Sequence, residues 1–347
     1  MQDTTSSAAK HGERHLGLRA GEIVEVLSEQ EILRTLDERG TLDALPFMPE
    51  MLAFCGKRFR IQKRAHKACD TVTWGTMRRM EHAVHLEGVR CDGSGHGKCQ
   101  AGCLIYWKES WLRRVTDDPV PADAVALAAH ASKPGRPDER VCTREALLDA
   151  TRRQHAGEEE LFMCQATEIV RATSGDVPWW KLGQYVEDVR SGNVSVRQAL
   201  GGLAVGLVNK VQKITSYVLP RSLRVHGGKT YPFVLGKLHG STPSFRLNLR
   251  PGELVEVKSR EEIFETLNER DSTRGLRFDS EMLRYCGRRG RVLRRVERVI
   301  EEGTGRMLPI DTDCILLDGF VCAGNYHRSC PRAVYTWWRE AWLKRVE

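Results

Sequence analysis

Short alternating runs dominate the two ends of the chain, and helical periods are confined to its middle. Glu22-Ile23-Val24-Glu25-Val26 alternates polar and β-branched positions and reads as a half-buried strand. Ser28 and Glu31 follow at capping-box spacing. There the hydroxyl and the carboxylate satisfy each other's backbone amides and start a helix carrying Ile32, Leu33 and Leu36. Residues 58–61 are strand-like again, residues 83–86 are apolar, and Trp107, Glu109, Trp111 and Leu112 close the pattern. The four-residue spacing of Trp107 and Trp111 predicts a closing helix with both indoles on one face, packed on the core.

The whole pattern then returns. Residues 18–26 reappear as 249–257, an offset of 231, and roughly 37 of 98 positions are identical at that offset without a net gap. Ser259 and Glu262 repeat the capping box, and Trp338, Glu340, Trp342 and Leu343 repeat the closing segment. The predicted fold class is α+β, with two duplicated small β-rich zinc-binding domains flanking a helical middle domain. In overall fold each copy resembles a small barrel of the Tudor or KOW type, an analogy that implies no activity.

The expected layout is a polar tail over 1–17, a first repeat over 18–116, and a Pro/Ala-rich linker over 117–142. A helical middle domain over 143–220, an irregular connector over 221–248 and a second repeat over 249–347 complete it. In the middle, residues 143–173 read as helical, with Leu147, Leu148, Leu161, Phe162, Cys164, Ile169 and Val170 available for burial. A second helical stretch opens at Pro178-Trp179-Trp180, and Ser195 with Gln198 caps a third helix running to Val211 or beyond. Adjacent indoles cannot both face one core, so one of Trp179 and Trp180 is expected at an interface.

Composition narrows the function classes. The 347 residues are 41% hydrophobic and 29% charged, which excludes a wholly disordered chain. No apolar run approaches the roughly 20 residues of a membrane helix. The start lacks the apolar segment of a secretory signal, so a cytoplasmic location is expected. Eleven cysteines in a reducing compartment then call for metal before disulfides. Aligning the copies pairs Cys55 with Cys286, Cys91 with Cys322, His96 with His327 and Cys99 with Cys330. Each copy thus holds a lone Cys-Gly and a C-x4-H-x2-C segment, three thiolates and an imidazole, the closed donor set that structural zinc prefers. Two zinc ions per chain are the expectation. Gly56 and Gly287 are expected to turn amides toward the lone thiolate, and Gly93 and Gly324 to loosen the ligand loop. Cys69 and Cys103, replaced by Ile300 and Val334 in the other copy, read as core hydrophobes, as do Cys142, Cys164 and Cys314.

Charge adds one further candidate. Lys57, Arg58, Arg60, Lys63 and Arg64 follow Cys55, and Arg288, Arg289, Arg291, Arg294 and Arg295 follow Cys286. Alternate residues of a strand share a face, so these form two basic ridges suited to a polyanion. The net charge of +8 is too mild to identify a nucleic-acid binder, and no helix-turn-helix, RNP or GxxG pattern is present. The function expected is a duplicated zinc-stabilised binding module engaging nucleic acid or an acidic protein. The alternative is a zinc- or thiol-dependent enzyme confined to the first copy. It would use either an open metal position beside Asp92 or a Cys69 or Cys103 nucleophile with His66 or His85. No P-loop, GxGxxG, GxSxG or HExxH motif supports another chemistry.

Overall fold

A computed structural model describes residues 16–73, 77–115, 142–153 and 160–346. The expected tail and linker fall almost wholly outside these residues. The fold is α+β with few helices, built on two curled antiparallel half-barrel sheets of five strands each. In the first, the order across the sheet is Leu104–Lys108, Ala83–Arg90, Arg58–Arg64, Ile23–Val26, Leu112–Arg114. In the second it is Tyr335–Trp338, Ile315–Val321, Arg289–Arg295, Leu254–Val257, Leu343–Arg345, the same order at equivalent positions. No helix among the described residues is long and apolar enough to cross a membrane.

Alternation sets the faces as the sequence predicts. Val24 and Val26, and Val255 and Val257, are fully buried, while Arg58, Arg60, Arg289 and Arg291 stand on the outer face. Both capping boxes form: Ser28 accepts the Glu31 amide at 3.4 Å and Ser259 that of Glu262 at 3.2 Å, starting the short helices Glu29–Leu33 and Arg260–Phe264. Each long ridge strand shifts register in mid-course, between Ile61 and Lys63 and between Val292 and Arg294, which bends the sheet into its curl.

Two elements differ from the sequence reading. Trp107 lies in the strand Leu104–Lys108 and Trp111 in the 3-10 turn Glu109–Trp111; Trp338 and Trp342 are likewise in Tyr335–Trp338 and Glu340–Trp342. A strand followed by one tight turn brings both indoles inward as well as a helix does. All four are fully buried, and Phe47 meets Trp111 edge-on at 5.1 Å as Phe278 meets Trp342 at 5.3 Å. The second difference is in the middle. Among the described residues, α-helix is limited there to Arg144–Asp149, Gly183–Arg190 and Val196–Val218. Leu161–Phe162 is instead extended against Arg152–Arg153, and Ser174–Val177 adds a strand to Met77–Arg79 of the first copy. Most of the apolar residues that mimic a helical period pack on the copies, with Ile169 in the first core and Phe162 in a cluster with Val296 and Ile300, whereas Leu148 is exposed.

In each copy one buried glutamate ties the entering chain to the closing turn. Glu109 accepts the amides of Leu16, Gly17 and Leu18 at 2.7, 3.0 and 3.2 Å. Glu340 accepts those of Leu247, Asn248 and Leu249. Arg64 and Arg295 stand beside these carboxylates and balance them.

Candidate metal centre

The loop after strand Ala83–Arg90 turns back on itself through Gly93, whose carbonyl accepts the amides of His96 and Lys98 at 3.1 and 2.9 Å. Gly93 has φ +77, and a Cβ there would lie 2.2 Å from the Cys99 carbonyl oxygen; Gly324 (φ +78) stands in the same relation to Cys330. Contrary to the expected loosening role, these glycines make the turn tight. The result sets Cys91 Sγ 3.4 Å from His96 Nε2, and Cys322 Sγ 3.5 Å from His327 Nδ1.

The third group at each place is a carboxylate. Glu50, Cys91 and His96 form one cluster whose donor atoms lie within 4.8 Å of one another, and Glu281, Cys322 and His327 form the other. Each could hold a metal ion. Glu50 and Glu281 come from the first turn of the 3-10 segments Pro49–Phe54 and Ser280–Tyr285, far away in sequence. The retained Glu-Met-Leu triplet at 50–52 and 281–283 was the only sequence signal for them. Glu50 Oε2 and His96 Nδ1 are buried and make no hydrogen bond, although His96 Nδ1 lies 3.5 Å from Glu50 Oε1, an arrangement of polar atoms that suits a cation. Burial raises the carboxyl of Glu50 and lowers His96 to about 4.

Cys55 and Cys286 are not in these clusters. They end the same 3-10 segments, pointing into the two cores, and burial pushes Cys286 up to about 11. The amides of Gly56 and Gly287 bond to Val26 and Val257 across the sheet, both at 2.9 Å, and serve no sulfur. Cys99 lies at the edge of the first site. With Cys91, His96, Cys103 and Cys164 it lines a small cavity of about 50 Å³. Burial pushes both Cys103 and Cys164 up to about 12. The segment around Cys164 fills this side. The equivalent space at the second cluster is an open cavity of about 450 Å³, lined by Cys322, His327, Cys330, Glu281 and, from the first copy, Cys69.

The first-copy groups proposed for enzyme chemistry are engaged elsewhere. His85 Nδ1 bonds to the Ile105 carbonyl at 2.8 Å, and burial lowers its pKa to about 3. His66 Nε2 lies 3.1 Å from Asp188, which also binds Lys67 at 2.5 Å and so docks the middle helix. Asp92 accepts the Ser94 amide and holds the turn.

Some of the ridge cations are paired with acids. Arg58 and Arg289 pair with Glu25 and Glu256 at 3.2 Å, Arg60 lies 3.8 Å from Glu87, and Arg291 donates to the Gly252 carbonyl. Arg64 and Arg295 serve the buried glutamates. Lys63 and Arg294 are half-buried. Trp180 is the exposed member of the tryptophan pair.

No protein-family model matches this chain, and neither does any curated protein or solved structure.

Proposed function

We propose that this chain is a duplicated binding module stabilised by two zinc ions, one at the metal loop of each copy. The observation that carries the reading is that both copies gather carboxylate, thiol and imidazole at equivalent places, with Glu50 Oε2 and His96 Nδ1 buried and making no hydrogen bond. Thiolate with imidazole favours zinc over the hard cations. The pairing of Arg58 and Arg289 with glutamates of the neighbouring strand favours a protein partner over a phosphate backbone. So do the apolar side chains exposed along helix Val196–Val218, among them Leu200, Leu207, Val211 and Ile214.

Metal analysis of the purified protein tests the zinc. Two ions per chain are expected, with loss of thermal stability on chelation, because site formation and folding are coupled. Metal-free protein of undiminished stability would overturn the reading. The partner class is tested by oligonucleotide binding against salt: Arg58, Arg60, Arg289 and Arg291 all changed to Ala should leave any weak binding and its salt slope unaltered. A slope reduced by several units would restore the polyanion.

A further inference from the structure

The two copies meet by an exchange of equivalent contacts. Cys69 of the first copy packs against Cys330 of the second. Ile300, which takes the place of Cys69 in the second copy, donates its amide to Sγ of Cys99, the first-copy equivalent of Cys330, at 3.5 Å. Thr71 and Glu302, equivalent positions 231 residues apart, bond directly to each other. Reciprocal contacts of this kind are the mark of a two-fold relation. Position 69 or 300 of either copy is therefore delivered to the metal loop of the other, and only the first copy carries a thiol there.

We propose that the second metal centre is shared between the copies, with Cys69 of the first joining Cys322, His327 and Cys330 of the second around one zinc ion. The proposal rests on the zinc reading above and deepens it. All four residues line the one 450 Å³ cavity. Three thiolates and an imidazole are the closed tetrahedral set of a structural zinc. His327 turns Nδ1 to Cys322 and Nε2 to Asp279 Oδ2, 3.4 Å away, as a metal-bound imidazole does when a carboxylate holds its second nitrogen. Glu281 is occupied otherwise: its oxygens accept the amides of Ala323 and Tyr326 at 3.1 and 2.6 Å, which makes it the residue that positions the loop. Cys286, the fourth thiol of the sequence motif, is packed in the second core. Arg332 donates to the Cys69 carbonyl at 3.2 Å, fixing that strand and placing a cation beside a centre whose three thiolates leave it one negative charge.

The test uses the full chain loaded with zinc, titrated with a chromogenic chelator, and in parallel loaded with Co²⁺ to read thiolate-to-metal charge transfer. Cys69→Ser should weaken one of the two ions by more than the roughly 10–100-fold that loss of an outer partner costs. It should also remove part of the cobalt charge-transfer band. Cys69→Ile, which copies the residue the second copy holds at this position, should do the same while keeping the packing. Cys286→Ser should change neither readout. Two tightly held ions and an unaltered cobalt spectrum in both Cys69 variants would overturn the shared centre and leave the zinc reading standing. So would a Cys69–Cys330 disulfide in the zinc-loaded protein. Wild-type protein that takes up no zinc would instead sink the zinc reading beneath it.

Discussion

Two glycines and one histidine show how single residues set the limits of this fold. At Gly93 and Gly324 a methyl group would meet the backbone of Cys99 or Cys330 at 2.2–2.7 Å, in a region of φ that side chains rarely adopt. Gly93→Ala and Gly324→Ala should each cost at least about 1–3 kcal/mol and weaken the ion at that loop, read by melting with and without chelator. An unchanged melt would mean that the turn does not need its glycine. His85 makes a pH prediction. Burial lowers its folded pKa to about 3, against about 6.5 in an unfolded chain. Between those values the unfolded state alone binds the proton, so stability present above pH 6.5 is lost as pH falls toward 3, at about 1.4 kcal/mol per unit. His85→Leu, which copies Leu316, should flatten the slope of unfolding free energy between pH 6.5 and 5 by about one proton. An identical slope in urea titrations at both pH values would contradict it. At this scale the Cys91–His96–Cys99 loop was legible because its spacing is local. Glu50 and Glu281 were not, because a carboxylate opening a 3-10 turn looks like any solvated acid until the fold carries it to the loop.

At the scale of elements, period alone misassigned what packing decides. Trp107 and Trp111 are four apart on a helix and also across a strand and its closing turn, and only the pairing of Leu104–Lys108 with Ala83–Arg90 separates the two. The strands and both capping boxes were readable because alternation and a reciprocal Ser–Glu pair act within a few residues. The ridge arginines were readable as strand residues, but the pairing of Arg58 and Arg289 with Glu25 and Glu256 on the neighbouring strand is invisible to a linear count. This contrast has a measurable consequence. Glu109 is fully buried, accepts three backbone amides and faces Arg64, so Glu109→Gln should lose about 1–3 kcal/mol by removing charge-assisted bonds while keeping shape. Arg58→Ala breaks an exposed pair of similar appearance and should change stability by less than about 1 kcal/mol. Denaturant titration of both variants ranks them, and equal effects would refute the distinction between a buried clamp and a surface pair.

For the whole molecule, the contacts between copies depend on a residue that only one copy has. Arg332 is 4% exposed and its guanidinium reaches the Cys69 carbonyl and Thr71 of the first copy, at 3.2 and 2.8 Å, and Glu302 of its own, at 3.0 Å. The equivalent first-copy position is Ala101, so the junction carries this cation once, where it lines both cavities. Duplication alone would give a symmetric pair of sites. The divergence at positions 69/300 and 101/332 breaks that symmetry: a thiol faces the second metal loop where Ile300 faces the first, and one guanidinium spans the junction. Arg332→Met keeps volume and removes the charge, leaving Glu302 and the Cys69 carbonyl without their shared donor. It should destabilise the chain by about 2–4 kcal/mol. Because the lost bonds span the copies, the amides of residues 67–69 and 298–300 should lose hydrogen-exchange protection before those of Ile23–Val26 and Leu254–Val257, which lie inside each sheet. A uniform loss of protection over both sheets would show instead that Arg332 supports the second copy alone and that the junction is held by its apolar contacts around Ile300 and Phe162.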